Sequence, residues 1–336
     1  MVDRYSRQIL FDGIGEEGQR RLGSSFVVII GCGALGTVIA ATLVRAGIGK
    51  VRIVDRDFIE YHNLQRQVLF DEEDIRNQLP KAIAAQRHLT KINSSIEIEG
   101  VVADVDYANI ERFVHGADVI LDGLDNLETR YLINDASLKH GIPWIYGGAI
   151  SSSGMTMNVI PGKTPCFRCL HPNAVGGAMM LTCDTAGVIG PAPLIVGSLQ
   201  STEAMKLLVG ADNLNQDLIT VDAWEGTLNR YKVRALDDCP ACNGKFEFLE
   251  AKFGTRTTSL CGQNAVQVTN PEAGEVSLST LAAQLEPAGE VSYNEFMLRF
   301  QAGDHEMVVF PDGRAIVKNT DDESVARGLY AKYIGM

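Results

Sequence analysis

Apolar residues recur along this chain in two rhythms. FVVII (26–30) and VRIVD (51–55) are short unbroken runs rich in β-branched residues and flanked by glycine, which predicts strands buried on both faces. Between them TVIAATLVRA (37–46) has helical spacing and stops at Gly47, so the first third of the chain opens with a βαβ unit. ADVILDGLDN (117–126) and IPWIYGGAI (142–150) read as two more buried parallel strands, separated by the helical ETRYLINDASLKHG. Together they predict an α/β fold with a doubly wound, mainly parallel sheet. Residues 161–193, rich in Pro and Gly and without a sustained period, are expected to form a long loop bearing function or metal, followed by a helix over LIVGSLQSTEAMKLLVG. After Cys242 the rhythm changes. Residues 257–336 predict a strand (TSLCGQNAVQV), a helix (LSTLAAQLEPAG), alternating strands through FMLRF, EMVVF and AIVKN with a PDGR turn, and a last helix (ESVARGLYAKYIG). The expected organisation is therefore a large domain over 1–250 and a small α+β module over 257–336, with no internal repeat.

Composition narrows the function classes. At 336 residues, 46% hydrophobic and 21% charged, the chain resembles an ordinary globular protein with a sizeable core. Its net charge of -12 opposes any whole-molecule attraction to nucleic acid or an anionic membrane, so an anionic ligand must be met by a local basic pocket. The N-terminus MVDRYSRQILF has no apolar core of signal-peptide length, and no apolar run approaches the roughly 18 to 20 residues of a membrane span. A cytoplasmic protein is expected. Four of the seven cysteines fall in two CxxC pairs, a pattern that in a reducing compartment favours metal over disulfides.

The turn GCGALG places Gly31, Gly33 and Gly36 where a strand becomes a helix, so that backbone N–H groups and a helix N-terminus can approach a phosphate. Asp55, at the end of the next strand, is placed to bond ribose hydroxyls, which makes the sheet Rossmann-like and a nucleotide its expected ligand. This much fits NAD, FAD and ATP alike. A second acid, Asp57, and the cluster Asn63, Gln65, Arg66 and Gln67 follow, and Lys81, Arg4 and Arg7 add more positive charge than a pyrophosphate needs. A triphosphate needs it. Asp125, where the LDGLDN strand ends, is then a candidate Mg²⁺ ligand. The competing reading of these charges is a solvated surface.

Cys166/Cys169 and Cys239/Cys242 can converge as a tetrahedral four-sulfur zinc site that clamps the long loop to the end of the first domain. A redox role would need a single CxxC at a helix start, whereas Pro165 and Pro172 flank CFRC, Pro240 lies inside CPAC and Gly244 follows it. Cys183, in LTCDTAGVIGP, is a candidate nucleophile set before a helix; Cys32 and Cys261 are expected to pack. His171 is expected to be a loop residue, not a ligand.

RYSRQ, GCGALG, DRDFIEYHNLQRQ, QLPKA, LDGLDN, PCFRC, TCDTAGVIGP and CPAC, in this order over about residues 3 to 245, resemble the MoeB/ThiF family, bacterial relatives of ubiquitin-activating enzymes. The resemblance implies ATP- and Mg²⁺-dependent adenylation of the C-terminal Gly-Gly carboxylate of a small ubiquitin-fold sulfur carrier, ThiS-like or MoaD-like, on a homodimer with a four-cysteine zinc. It further implies that Gly31, Gly33 and Gly36 hold phosphate, Asp55 the ribose, Asn63, Arg66, Gln67 and Lys81 the triphosphate, and Asp125 the Mg²⁺. Arg7 would reach the other subunit's site, the carrier tail would thread under the loop 161–190, and Cys183 matches a cysteine given a covalent role in the ThiF branch. The Gly-Gly carboxylate is ionised at neutral pH and needs no general base. Two other readings stay open: an NAD(P)-dependent oxidoreductase, for which no acid/base pair is evident, and a nucleotide-binding scaffold. The module 257–336 has no rhodanese-type cysteine loop and is expected to be ubiquitin-like or ferredoxin-like, docking a carrier or partner.

Overall fold

A computed structural model describes residues 3–172, 186–252, 258–260, 264–268 and 276–334. The chain divides into two compact units, Met1–Phe253 and Gly254–Met336. In the first, strands β1 (Phe26–Ile30), β2 (Lys50–Asp55), β3 (Glu97–Val102), β4 (Val119–Asp122), β5 (Trp144–Ile150), β6 (Ser153–Val159), β7 (Leu218–Asp222) and β8 (Thr227–Tyr231) form one sheet in the order β3-β2-β1-β4-β5-β6-β7-β8. The five strands from β3 to β5 pair in parallel, and β6, β7 and β8 extend them antiparallel. On one face, the helices Ile110–Val114 and Leu127–His140 bury Ile110, Phe113, Tyr131 and Ile133 with Val28, Ile30, Ile120 and Trp144 of the sheet. Helices Ala34–Ala46, Lys81–Ile92 and Pro191–Val209 pack beside one another as a second layer. The sheet is thus doubly wound as expected, while its antiparallel extension is a feature that the sequence pattern did not announce. Of the expected loop 161–193, residues 173–185 lie outside the described residues; the helix expected from Leu194 starts three residues earlier at Pro191, because proline is preorganised for the first helical turn. Within the stretch expected to be loop, Phe167–Leu170 forms one short helical turn.

Strand β1 lies between β2 and β4, so the chain leaves it in opposite directions on its two sides and opens a crevice at its C-terminal end. Three glycines shape that crevice. Gly31 has φ +89°, and a Cβ there would stand 2.7 Å from the Gly123 carbonyl; Cβ atoms on Gly36 or Gly123 would collide with the Gly31 carbonyl. Backbone packs directly on backbone here, which only glycine permits.

In the second unit, β9 (Thr258–Leu260), β10 (Ala265–Val268), β11 (Val291–Tyr293), β12 (Leu298–Ala302), β13 (His305–Val309) and β14 (Ala315–Lys318) make a sheet in the order β11-β12-β13-β14-β10-β9, with every pair antiparallel. Alternate residues Leu298, Phe300 and Ala302 share one core with Leu281 and Leu285 of the helix Leu278–Leu285 and with Ala326 and Tyr330 of the helix Glu323–Tyr333. The stretch read as one strand, TSLCGQNAVQV, is instead two paired strands, with Leu260 opposite Ala265 and Asn264 at φ +45°. Among the described residues the ββαββββα order differs from the βαββαβ order of a ferredoxin-like unit, and the sheet has no parallel pair such as a ubiquitin-like fold carries. Among the described residues no helix is long and apolar enough to cross a membrane.

Candidate adenylation site

The crevice at the end of β1 is where the predicted ligand residues meet. Asp55, the last residue of β2, accepts the Cys32 N–H at 2.6 Å through Oδ2 and the Asp57 N–H at 2.7 Å through Oδ1. One carboxylate therefore ties the glycine turn to the segment after β2, and each oxygen keeps a lone pair for a further donor such as a ribose hydroxyl. Burial pushes the Asp55 carboxyl above its ordinary range, with Lys81 working against it. The N-terminus of the helix Ala34–Ala46 opens from Gly33 with no side-chain cap, and a Cβ on Gly33 would have its nearest neighbours at 3.7 Å, the Gly123 carbonyl, and 3.9 Å, the Gln67 side-chain nitrogen. That leaves room above the turn, bordered by Gln67, whose Oε1 is buried with no partner among the described residues.

Lys81 begins the helix Lys81–Ile92 after Pro80, and its Nζ lies 3.0 Å from Asp57 Oδ2. Desolvation works against the ammonium, but Asp57 and Asp55 outweigh it and hold Lys81 well above the ordinary lysine range. Arg56 pairs with Asp104 at 2.9 Å and lies 3.7 Å from Asp57. Asp125 is exposed, and its charge is felt by Lys81, Arg56 and Arg130. Asn63 is buried, its Oδ1 accepting the Glu60 N–H at 3.0 Å, and Arg66 donates to the His62 carbonyl at 2.7 Å. Beside this segment lie residues 189 and 190: Ile189 donates to the Ser151 carbonyl at 3.0 Å, and a Cβ on Gly190 would stand 3.0 Å from the Gln65 carbonyl.

The four paired cysteines converge. Sγ–Sγ separations are 3.8 Å for Cys166–Cys169, 3.6 Å for Cys166–Cys239, 3.6 Å for Cys169–Cys242 and 3.4 Å for Cys166–Cys242. Tetrahedral ligation at about 2.3 Å would set such separations near ~3.8 Å, so the donor set fits one zinc ion. The Leu236 N–H donates to Cys169 Sγ at 3.5 Å, as outer-shell amides do for ligating sulfurs. Burial pushes the Cys166 thiol up, and the Cys242 thiol up to about 12; Cys169 falls below the ordinary thiol range although burial opposes it, through the Leu236 and Cys166 amides. His171 is outside this cluster, its ring 4.8 Å from that of Phe167.

Residues 5–241 match the model of the ThiF family. The chain belongs to the ThiF family. It is 45% identical over 340 residues to the sulfur carrier protein ThiS adenylyltransferase of Bacillus subtilis (strain 168), covering 100% of both chains, so that relative shares the C-terminal unit as well. Over 242 residues it is 40% identical to the SAMP-activating enzyme E1 of Haloferax volcanii, covering 72% of this chain and 88% of that one. Among solved structures, the crystal structure of E. coli MccB with AMPCPP and MccA is 25% identical with a TM-score of 0.63, covering 72% of this chain and 74% of MccB.

The other residues singled out in this ThiF-family chain are distributed unevenly. Arg7 is exposed on the short helix Ser6–Ile9, in a segment anchored by the Tyr5 hydroxyl, which accepts from Asn93 Nδ2 at 2.8 Å, and by Arg4, which donates to the Ile92 carbonyl at 2.8 Å. Tyr5 rests on Gly47, the C-cap of the helix Ala34–Ala46, so Arg7 belongs to the far end of that helix from the glycine turn. Cys183 and Cys261 lie outside the described residues, and Cys32 is fully buried. Sequence reasoning missed Gly123, Asp122, Arg130 and Gln200. Asp122 is fully buried and pairs with Arg130 at 2.9 Å directly beneath the Asp125 turn. LDGLDN held a signal for Gly123 in its central glycine; nothing local marks Arg130, on the helix Leu127–His140, or Gln200, on the helix Pro191–Val209.

Proposed function

We propose that this chain uses ATP and Mg²⁺ to adenylate the C-terminal Gly-Gly carboxylate of a small ubiquitin-fold sulfur carrier, ThiS-like or MoaD-like, releasing pyrophosphate in thiamine, molybdenum-cofactor or related thiolation chemistry. The observation that carries the reading is Lys81: a lysine only 9% exposed, held at 3.0 Å by Asp57 at the mouth of a nucleotide-type crevice. A dinucleotide does not require a buried ammonium there, whereas charge building up on the α-phosphate and the departing pyrophosphate does. Gly33 and the uncapped helix N-terminus receive phosphate, Asp55 the ribose, and Asn63, Arg66 and Gln67 the rest of the triphosphate. A carrier carboxylate oxygen attacks the α-phosphorus, the bond to the β-phosphate oxygen breaks, and the electron pair leaves with pyrophosphate. No proton moves, so the residues of the site position and neutralise and none is needed as a base. Mg²⁺, held by Asp125, would supply positive charge on the phosphate oxygens; zinc, held by Cys166, Cys169, Cys239 and Cys242, would supply a structural clamp. Because Arg7 lies away from its own crevice, it is assigned to the site of a second subunit in a homodimer. Cys183 is assigned a covalent role after adenylation, so Cys183→Ser should leave adenylation intact and lower only sulfur transfer.

ATP–pyrophosphate exchange with Mg²⁺, run with each Gly-Gly-ended carrier of the same genome, tests the proposal. Exchange that appears with one carrier and vanishes in Asp125→Ala supports it. ATP binding with no exchange for any carrier would move a nucleotide-binding scaffold to the front, and a nicotinamide absorbance change would favour the oxidoreductase.

A further inference from the structure

Asp122, the last residue of β4, is fully buried, and around it four segments of the first unit are joined. Its Oδ2 accepts from Arg130 Nε at 2.9 Å and from the Gly147 N–H at 3.4 Å, and its Oδ1 accepts the Leu124 N–H at 2.9 Å. Arg130, 7% exposed on the helix Leu127–His140, donates through Nη2 to the Leu124 carbonyl at 2.5 Å and to the Gly147 carbonyl at 2.8 Å. From the helix Pro191–Val209, buried Gln200 donates to the Asp122 carbonyl at 2.9 Å and to that of Ile145 at 3.1 Å, and its side chain fills the space a Cβ on Gly147 would take. Thus one guanidinium spans the end of β4, the turn that presents Asp125, and the middle of β5.

We infer that the Asp122–Arg130 pair is the positioning device of the adenylation site, fixing the turn 123–126 so that exposed Asp125 meets Mg²⁺ in the crevice; this rests on the function proposed above. A buried ion pair is weak evidence for stability, since desolvation offsets most of its attraction. Its location is more telling: Asp122 closes β4 where ligands bind in a doubly wound sheet, and two of the three acceptors that Arg130 holds, Asp122 and Leu124, belong to that strand end and the turn after it. The planar fork of arginine reaches three acceptors in fixed directions, which a lysine cannot do.

The test compares the full chain with Arg130→Lys, Asp122→Asn, Asp125→Ala and the double variant Arg130→Lys/Asp125→Ala. Two readouts are taken: Mg²⁺ dependence of ATP binding, which needs no carrier, and ATP–pyrophosphate exchange with the carrier. Arg130→Lys is expected to keep metal-free ATP binding, to raise the Mg²⁺ concentration at half-saturation about tenfold, the usual cost of losing an outer-shell partner, and to slow exchange about 100-fold, as a displacement near 1 Å does. Asp122→Asn, nearly isosteric, should do the same in milder form. In the double variant the Mg²⁺ dependence should be no weaker than in Asp125→Ala alone, because Arg130 acts through that residue. An unchanged half-saturation in folded Arg130→Lys and Asp122→Asn, or losses that multiply with Asp125→Ala, would overturn the inference. Wild-type protein that binds Mg²⁺ and ATP yet exchanges with no carrier would count against the proposed function, while the binding cycle would still decide the role of Arg130.

Discussion

Replacing Lys81 by Met keeps the aliphatic stem and deletes the ammonium that Asp57 holds. At the 3.0 Å separation found here, the attraction amounts to about 5.5 kcal/mol at an effective dielectric of roughly 20. The Lys81 side chain is 9% exposed and that of Asp57 30%, so water recovers part of the loss, and a net destabilisation of about 3 kcal/mol is expected. The pH dependence is the sharper signature. Lys81 is held above its ordinary value of 10.5, so its contribution in the wild type is complete below that value and is lost only as pH rises through the higher folded value. Between pH 5 and 8 it is constant. In the variant, Asp55 loses the neighbour that restrains a carboxyl already raised from 3.8 by burial. A raised carboxyl stabilises the fold below its unfolded value, and that contribution is lost as pH rises through the folded one, so the penalty of Lys81→Met should be greater at pH 8 than at pH 5. Urea unfolding followed by circular dichroism at both pH values reads this directly, and ATP–pyrophosphate exchange should fall about 10²- to 10³-fold. A penalty that is equal at the two pH values, or below about 0.5 kcal/mol, would refute the view of Lys81 as the charge balancing these acids.

Two neighbouring glycines should respond in opposite ways. Gly36→Ala, whose methyl would strike the Gly31 carbonyl, is expected to lose soluble folded protein, whereas Gly33→Ala, with clearances of 3.7 and 3.9 Å, should melt like the wild type and bind ATP at least about tenfold more weakly. Titration of the four clustered thiols with an organomercurial should release one zinc per chain to a colorimetric indicator and make the region around residues 161–172 sensitive to protease; metal-free purified protein would contradict this. Asp135, 1% exposed and accepting the Phe248 N–H at 2.9 Å, is pushed up to about 6 by burial from its ordinary 3.8. Its stabilising contribution is therefore present below 3.8 and lost as pH rises through about 6, so Asp135→Asn should gain about 2 kcal/mol on the wild type between pH 4 and 8; parallel stability curves would count against it.

The parts of the fold that were legible share one property: their signal is local. β1, β2 and β4 are buried parallel strands and therefore near-continuous apolar runs, each ended by glycine or acid, and β5 opens on the apolar run WIY (144–146). By contrast β8 is exposed along its whole length and carries no alternation, and β6 is interrupted by glycine and threonine, so neither stood out from loop. The second unit was legible as strands and helices but not as a topology, because the choice between parallel and antiparallel pairing is made by partners far apart in sequence.

The glycine turn, the acid closing β2 and the spacing of the cysteines were legible in the sequence alone, since each is a short local pattern read within a few residues. Which charges stand together was decided by the tertiary structure. Arg130 on a helix reads as a solvated surface residue until the sheet brings buried Asp122 to within 2.9 Å of it, and Lys81 reads as a phosphate-binding candidate whose partner, Asp57 at 3.0 Å, only the fold supplies. Arg7 is chemically equal to Arg66 in the sequence, yet the fold carries it to the opposite end of a helix. Pairing of charges depends on distance through a desolvated interior, which is a property of the folded chain and has no counterpart in the order of its residues.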